Sequence, residues 1–357
     1  MGPLRCRMRY RTLGNTDIRV SEIGFGCWTM GGPNWSPQTG QPIGWADVNE
    51  DEILQAIKAG LDAGVNHWDN ADVYGNGRAE RLLGRCLKKL GVKPGTQVIA
   101  TKVGHARGTA PHAYHPAHIR SQCEQSLRNL QVDVIDLYYF HHGSYVGEDV
   151  NGQHHDYLHE AAATMHALVK EGKVRAIGQS AYSNEDFERA IPVLKPHALQ
   201  SKANLRYQDF IKPGSRLQQL MEQYKCDFVA FGPLDQGILL DKFDPDNPPA
   251  PNEGEARSNR KDLAPAVLRG VREKLAMVRQ RASIGGFGLP AGDFRAGTPQ
   301  DIERLASIVQ RWLLAHVNVA SVIPGFRNPR QASCNVAATS HAPMEHEDVK
   351  WLRELFA

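Results

Sequence analysis

The sequence predicts an α/β barrel of eight parallel strands, each followed by a helix, in one domain spanning residues 1–357. Two observations carry this. An apolar run, a polar loop and a helix-like segment recur along the chain, which is the βα unit of a parallel sheet. Asp69, Lys102 and His141 fall at the C-terminal ends of successive strand-like runs, with Tyr74 in the loop after the first of them. In such a barrel those ends converge on one face, and that face carries the chemistry. The length of 357 residues does not require two domains, because α/β barrels routinely exceed ~150 residues as one unit.

The chain opens with alternation over residues 10–20 around Gly14-Asn15-Thr16, the pattern of a short hairpin with its turn in the middle. The first barrel strand is expected over 22–26. A loop over 27–45, rich in Gly, Pro and Trp, follows on the catalytic face. Its Trp28 and Trp35 suit a substrate pocket, and equally suit packing within the loop. A helix over 50–63 has Ile53, Leu54, Ile57 and Leu61 at helical spacing, with Asn49 or Asp47 to cap it. The second strand, 63–68, runs into Asp69. A helix over 78–90, a third strand over 97–101 ending at Lys102, and a helix from Pro116 come next. The fourth strand, 134–140, ends at His141.

The second half repeats the unit. A helix over 157–171 stops at Gly172, and a strand over 173–179 ends at Ser180. Asn184 is expected to cap the next helix. Strands over 199–202 and 228–231 flank a helix over 216–224. From Asp235 to Thr298 the pattern loosens into a long insertion, with one helix over 267–281 and a Gly-rich, mobile stretch over 285–297. An insertion of this length in a compact domain commonly serves as a lid or binding loop. A helix over 302–316, the eighth strand over 319–323, a helix over 329–338 and a terminal helix over 345–356 complete the barrel.

Composition excludes several classes. At 41% hydrophobic and 23% charged, the chain has ample apolar residues for a large core. A net charge of +3 implies no nucleic-acid partner, so basic clusters suit a small anionic ligand. No apolar run reaches the roughly 18 residues a membrane span needs. The first nine residues are basic but lack the apolar core of a secretory signal. Met8 is an alternative start. Six scattered cysteines without a CxxC pair suit reduced thiols in the cytoplasm. The loops after Lys102 and His141 hold His105, His112, His115, His142, His154 and His155. Their irregular spacing argues against a metal and for a polar, aromatic pocket rim.

Asp69, Tyr74, Lys102 and His141 make chemical sense together. A Lys102 ammonium beside Tyr74 would lower the phenol from its usual value near ~10, and Asp69 would hold the lysine. His141 would orient a substrate oxygen, and Tyr74 would protonate a carbonyl as general acid. Each residue alone is more often a surface or packing group. Together in strand order they are harder to dismiss. Residues 323–327, Ile-Pro-Gly-Phe-Arg, end a strand and enter a helix, whose free N–H groups favour phosphate, with Arg327 able to pair with it.

These motifs resemble the aldo-keto reductase superfamily. They are D-x-A-x-x-Y-G at 69–75, A-T-K-V-G at 100–104, D-x-x-x-x-H at 136–141 and I-P-G-x-R at 323–327. The resemblance covers residues 10 to about 338. It is nearest the branch of potassium-channel β-subunits and related bacterial oxidoreductases. It implies a TIM barrel, a hairpin closing the barrel bottom, NADP(H), and reduction of aldehyde or ketone carbonyls. It also implies cofactor contacts from Ser180, Gln200, Gly232, Leu234, Gln236, Gly237, Gly325, Phe326, Arg327, Gln331 and Asn335. Lys242 and Arg257 match basic residues that clasp phosphate, although Arg257 is as readily a surface charge. Trp28 and His142 are the expected pocket residues.

Two positions depart from the family pattern. Ala181 stands where a second carboxamide partner is usual, and Ala203 where a ring is expected to stack on the nicotinamide. Tyr182 or Tyr207 are candidate substitutes. Three functions compete. The first is a reductase acting on a small carbonyl compound, monomeric or oligomeric. The second is a cofactor-binding regulatory protein with little turnover. The third, a nucleotide-free barrel hydrolase or isomerase, is disfavoured by the 323–335 phosphate motif.

Overall fold

A computed structural model describes residues 8–36, 39–45 and 47–357. Cys6 and the basic segment before Met8 fall outside them. Strands β1 (Tyr10–Thr12) and β2 (Arg19–Ser21) form the antiparallel hairpin expected around Gly14. The eight barrel strands are β3 (Phe25–Gly26), β4 (His67–Asp69), β5 (Val98–Val103), β6 (Ile135–Phe140), β9 (Val174–Ser180), β10 (Ala198–Lys202), β11 (Asp227–Phe231) and β12 (Val319–Ile323). All neighbours pair in parallel, in chain order. The ring closes where Gly24 N donates to Val322 O at 2.9 Å and Gly26 N to Pro324 O at 3.0 Å. The fold is thus a (β/α)₈ TIM barrel. A further hairpin, β7 (Val146–Glu148) with β8 (His154–Asp156), occupies the loop after β6.

Helices α1 (Glu50–Asp62), α2 (Arg78–Lys89), α3 (Pro116–Leu130), α4 (Leu158–Lys170), α5 (Asn184–Leu194) and α6 (Arg216–Tyr224) lie between the strands. α7 (Pro265–Ser283) lies in the insertion, and α8 (Pro299–Leu314), α9 (Pro329–Val336) and α10 (His346–Phe356) follow. Asn49 caps α1 by accepting from the amides of Asp51 and Glu52. At α5 the expected cap moves one residue: Ser183 accepts from Asp186 N, and Asn184 is the first helical residue.

The hairpin plugs one end of the barrel. Leu13, Ile18 and Val20 are buried against the interior residues Ala100, Leu137, Tyr139, Ala176 and Val229. Each such large side chain contributes roughly 1.5–3 kcal/mol by leaving water. The opposite end stays open, and the strand C-termini face it. The Gly-rich stretch over 285–297, expected to be mobile, carries anchors at its head. Phe287 is buried, its amide donates to Asp348 Oδ2 at 2.8 Å, and its carbonyl accepts from Arg311 at 2.8 Å.

Candidate active site

Four side chains meet at the open end of the barrel. Lys102, fully buried near the end of β5, donates from Nζ to Asp69 Oδ1 at 2.5 Å, Asn70 O at 2.6 Å and Tyr74 Oη at 3.3 Å. Gln200 Nε2 donates to the other Asp69 oxygen at 2.7 Å. The turn carrying Tyr74 is held against the 3-10 turn Cys27–Gly31 by a close backbone contact. Gly75 has φ +58, and a Cβ there would lie 2.3 Å from Gly31 O, so only glycine fits. His141 follows β6, its ring centre 5.8 Å from that of Tyr74.

The electrostatics reverse one expectation. Lys102 does not pull the Tyr74 phenol down. Burial pushes it well above its usual value, and the Asp69 carboxylate adds to the shift. The physical reason is that Asp69 offsets the lysine charge, leaving desolvation to dominate. Tyr74 therefore keeps its proton. Burial, with His105 and Lys102, holds the His141 imidazole neutral.

Asp69, Tyr74 and His141 line the floor of a cavity of about 1170 Å³, with Lys102 buried behind them, and the cavity is larger than the ~300–1,000 Å³ typical of a drug-sized pocket. Ser180, Gln200, Gly232, Leu234, Gln236 and Gly237 line it on the β9–β11 side. Gly325, Arg327, Gln331 and Asn335 line it near α9. Within the protein, Gln331 and Asn335 brace the turn before α9. Gln331 Oε1 accepts from Arg327 N at 2.9 Å, and Asn335 Nδ2 donates to Gly325 O at 3.1 Å.

The insertion crosses the cavity. Its Gly254 O accepts from Gly44 N at 3.0 Å, and Ala256 N donates to Gly44 O at 3.1 Å, so it is strapped to the loop after β3. It delivers Lys242 and Arg257 to the cavity, where they join Arg327 and Arg330. Arg257 is bound to the buried Glu255 at 2.8 Å and lies 5.0 Å over the Trp45 ring. Lys242, Arg327 and Arg330 have no carboxylate partner among the described residues. Burial lowers the Lys242 ammonium, and repulsion from Arg327, Arg330 and Arg257 adds to that. This end of the cavity suits a compact anion.

Two sequence expectations need correction. Phe326 does not line the cavity: its ring is fully buried against Phe25 at 4.6 Å, and only its carbonyl is engaged, by Thr29 Oγ1. His142 is likewise absent from the lining, because both ring nitrogens are used. Nδ1 accepts from Ser144 N, and Nε2 meets Gly104 O at 2.6 Å. Of the two tyrosines named as candidates to replace a ring at Ala203, Tyr182 lines the cavity and Tyr207 does not. Ala181 and Ala203 are fully buried in the core, while Phe231 and Tyr182 line the cavity beside Ser180 and Gln200, 6.5 Å apart. Tyr207 instead lies under Lys202 and donates to Asp262 at 3.3 Å. Trp28 does line the cavity, next to Trp45 at 5.2 Å, whereas Trp35 does not.

Sequence reasoning placed His105 only among six loop histidines expected at a pocket rim, and did not single out Phe231. His105 sits in a loop with no periodicity, and Phe231 has the pattern of an ordinary strand residue. No group of three or more His, Cys, Asp or Glu side chains able to hold a metal occurs among the described residues.

Comparisons with known proteins agree with this architecture. A probable voltage-gated potassium channel subunit beta of Oryza sativa subsp. japonica is 27% identical over 345 residues, covering 94% of this chain and 93% of that protein. The aldo-keto reductase YhdN of Bacillus subtilis (strain 168) is 30% identical over 242 residues, 66% of this chain and 65% of that one. The structure of the glycerol dehydrogenase of Gluconobacter oxydans matches with a TM-score of 0.73 at 25% identity, covering 98% of this chain and 95% of that one. The model of the aldo/keto reductase family matches residues 22–357, and by that match the chain belongs to the family.

Proposed function

We propose that the protein is an NADP(H)-dependent oxidoreductase that reduces aldehyde or ketone carbonyls to alcohols, with Tyr74 as general acid. The observation carrying this is the Lys102 ammonium bonded to both Asp69 and Tyr74 on the floor of a large cavity. The residues fit a dinucleotide. Lys242, Arg327 and Arg330, lacking carboxylate partners, suit phosphates at the outer end. Gln236 Oε1 is buried without a partner at the middle.

Bound cofactor would supply the hydride. The chain's own residues do the rest. His141, neutral, offers a hydrogen bond that fixes the carbonyl oxygen near Tyr74. Tyr74 gives that oxygen its proton as negative charge develops. Lys102 steadies the phenolate left behind, and Asp69 with Gln200 keeps Lys102 in place. The buried floor keeps water from competing for the proton. Phe231 and Tyr182 offer faces for the nicotinamide.

The test is NADPH oxidation, followed by absorbance, across a panel of small aldehydes and ketones. Turnover that requires both reactants supports the reading. NADPH binding with no turnover of any carbonyl would favour a regulatory protein of the same fold. No NADPH binding would reject both.

A further inference from the structure

A second imidazole stands beside His141. His105 lines the cavity, its ring centre 4.3 Å from that of His141. The rings of His141 and His142 flank it, and neither of its nitrogens has a hydrogen-bond partner among the described residues. Burial lowers the imidazole from 6.5 to about 4, with His142 and Lys102 adding to the shift. The ring is therefore neutral at ordinary pH, with one donor and one acceptor.

The position of His105 is built. Tyr114 Oη donates to His142 O at 2.7 Å and accepts from His142 N at 3.0 Å. His142 Nε2 then bonds the carbonyl of Gly104 at 2.6 Å. Gly104 itself has φ +147, and a Cβ there would lie 2.5 Å from Tyr114 Oη. Three residues thus fix the bend that presents His105. A neutral imidazole held this way, lining the cavity with no protein partner among the described residues, is placed to meet a polar group of a ligand.

The spacing says where that group lies. With ring centres 4.3 Å apart, the two imidazoles are close enough to bond groups on neighbouring atoms of one small ligand. If His141 holds the reacting carbonyl oxygen, His105 meets a group on the next carbon. A hydroxyl serves best, because it can donate and accept and so satisfies either tautomer. Trp28, Ile43 and Trp45 offer the same pocket apolar surfaces, which suits the carbon skeleton of such a compound.

We propose that His105 is a specificity-determining residue that hydrogen-bonds a hydroxyl on the carbon next to the reacting carbonyl, making α-hydroxy aldehydes and ketones the preferred substrates. The inference rests on the reductase reading above. A substrate lacking the hydroxyl leaves His105 unpaired and forfeits that interaction.

The experiment compares kcat/KM for lactaldehyde and propionaldehyde, which differ by that hydroxyl, with NADPH in the parent, His105→Leu and His105→Asn. The parent is expected to favour lactaldehyde by about tenfold or more. His105→Leu should bring the ratio to within about threefold of unity. His105→Asn, which keeps a neutral donor and acceptor, should restore part of it. A parent ratio near one overturns the inference without any variant, as does a ratio that survives His105→Leu. Absence of turnover with both aldehydes in the parent would instead overturn the reductase reading, and this inference with it.

Discussion

The two ends of the cavity are built on opposite principles. At the floor, the lysine is bonded to both the aspartate and the tyrosine, and the lysine and the aspartate are buried. Lys102 is fully buried, Asp69 is 2% exposed, and both Asp69 oxygens are bonded. At the outer end, Lys242 on the insertion, Arg327 in the turn before α9 and Arg330 in α9 are held near one another with no carboxylate partner among the described residues. The floor is organised before any ligand arrives. The outer end stores repulsion that an anion relieves. Changes at the floor should therefore alter chemistry and stability, and changes at the outer end should alter binding.

The largest effect should come from Lys102→Met. It leaves the Asp69 carboxylate buried and unpaired, which costs about 3–5 kcal/mol. It also removes the cation beside Tyr74. Chemical denaturation should report the stability loss, and carbonyl reduction should fall by roughly 10²-fold or more. A variant as stable as the parent would contradict a charged pair sealed at the floor.

A second contrast uses acid. His67, fully buried beneath the floor with Nδ1 at 2.9 Å from Ser321 Oγ, has its imidazole lowered to about 4, chiefly by burial. The sign follows from proton counting. Between pH 6.5 and about 4 the unfolded chain binds the proton that the folded one excludes, so stability falls as pH falls through that window. The residue should account for about 3 kcal/mol of the loss. Denaturation curves at neutral pH and near the bottom of the window, for the parent and His67→Gln, should show the smaller acid loss in the variant.

A smaller effect is expected at the outer end. Arg327→Ala should weaken NADPH binding about tenfold and NADH binding less, because the removed cation faces a phosphate and not the reacting carbon. Turnover at saturating NADPH should change little. Equal losses for both cofactors would place the 2′-phosphate elsewhere.

The same contrast explains what could be seen in the sequence. The floor residues were legible because a β-strand is a short apolar run and the chemistry sits just beyond its end. His142 misled for the same reason. It adjoins His141, but successive residues of an extended chain point to opposite sides, and this one turns to Gly104. His105 was legible only as one of six rim histidines, because its direction is set by Gly104, Tyr114 and His142 through contacts that no local pattern encodes. Phe231, which lines the cavity, was hidden as an apolar residue at a strand end. The insertion was legible as an irregular segment longer than a connection needs, but not the hydrogen bonds from Gly254 and Ala256 that tie it to Gly44.

One measurement tests the division of labour most directly: NADPH dissociation constant and carbonyl turnover, side by side, in the parent and Tyr74→Phe. Phenylalanine keeps the ring at the floor and removes only the proton to be given. Turnover should fall by roughly 10²–10⁴-fold while the dissociation constant stays within about twofold, because binding depends on the outer end. A Tyr74→Phe protein that reduces carbonyls at the parent rate would contradict the account.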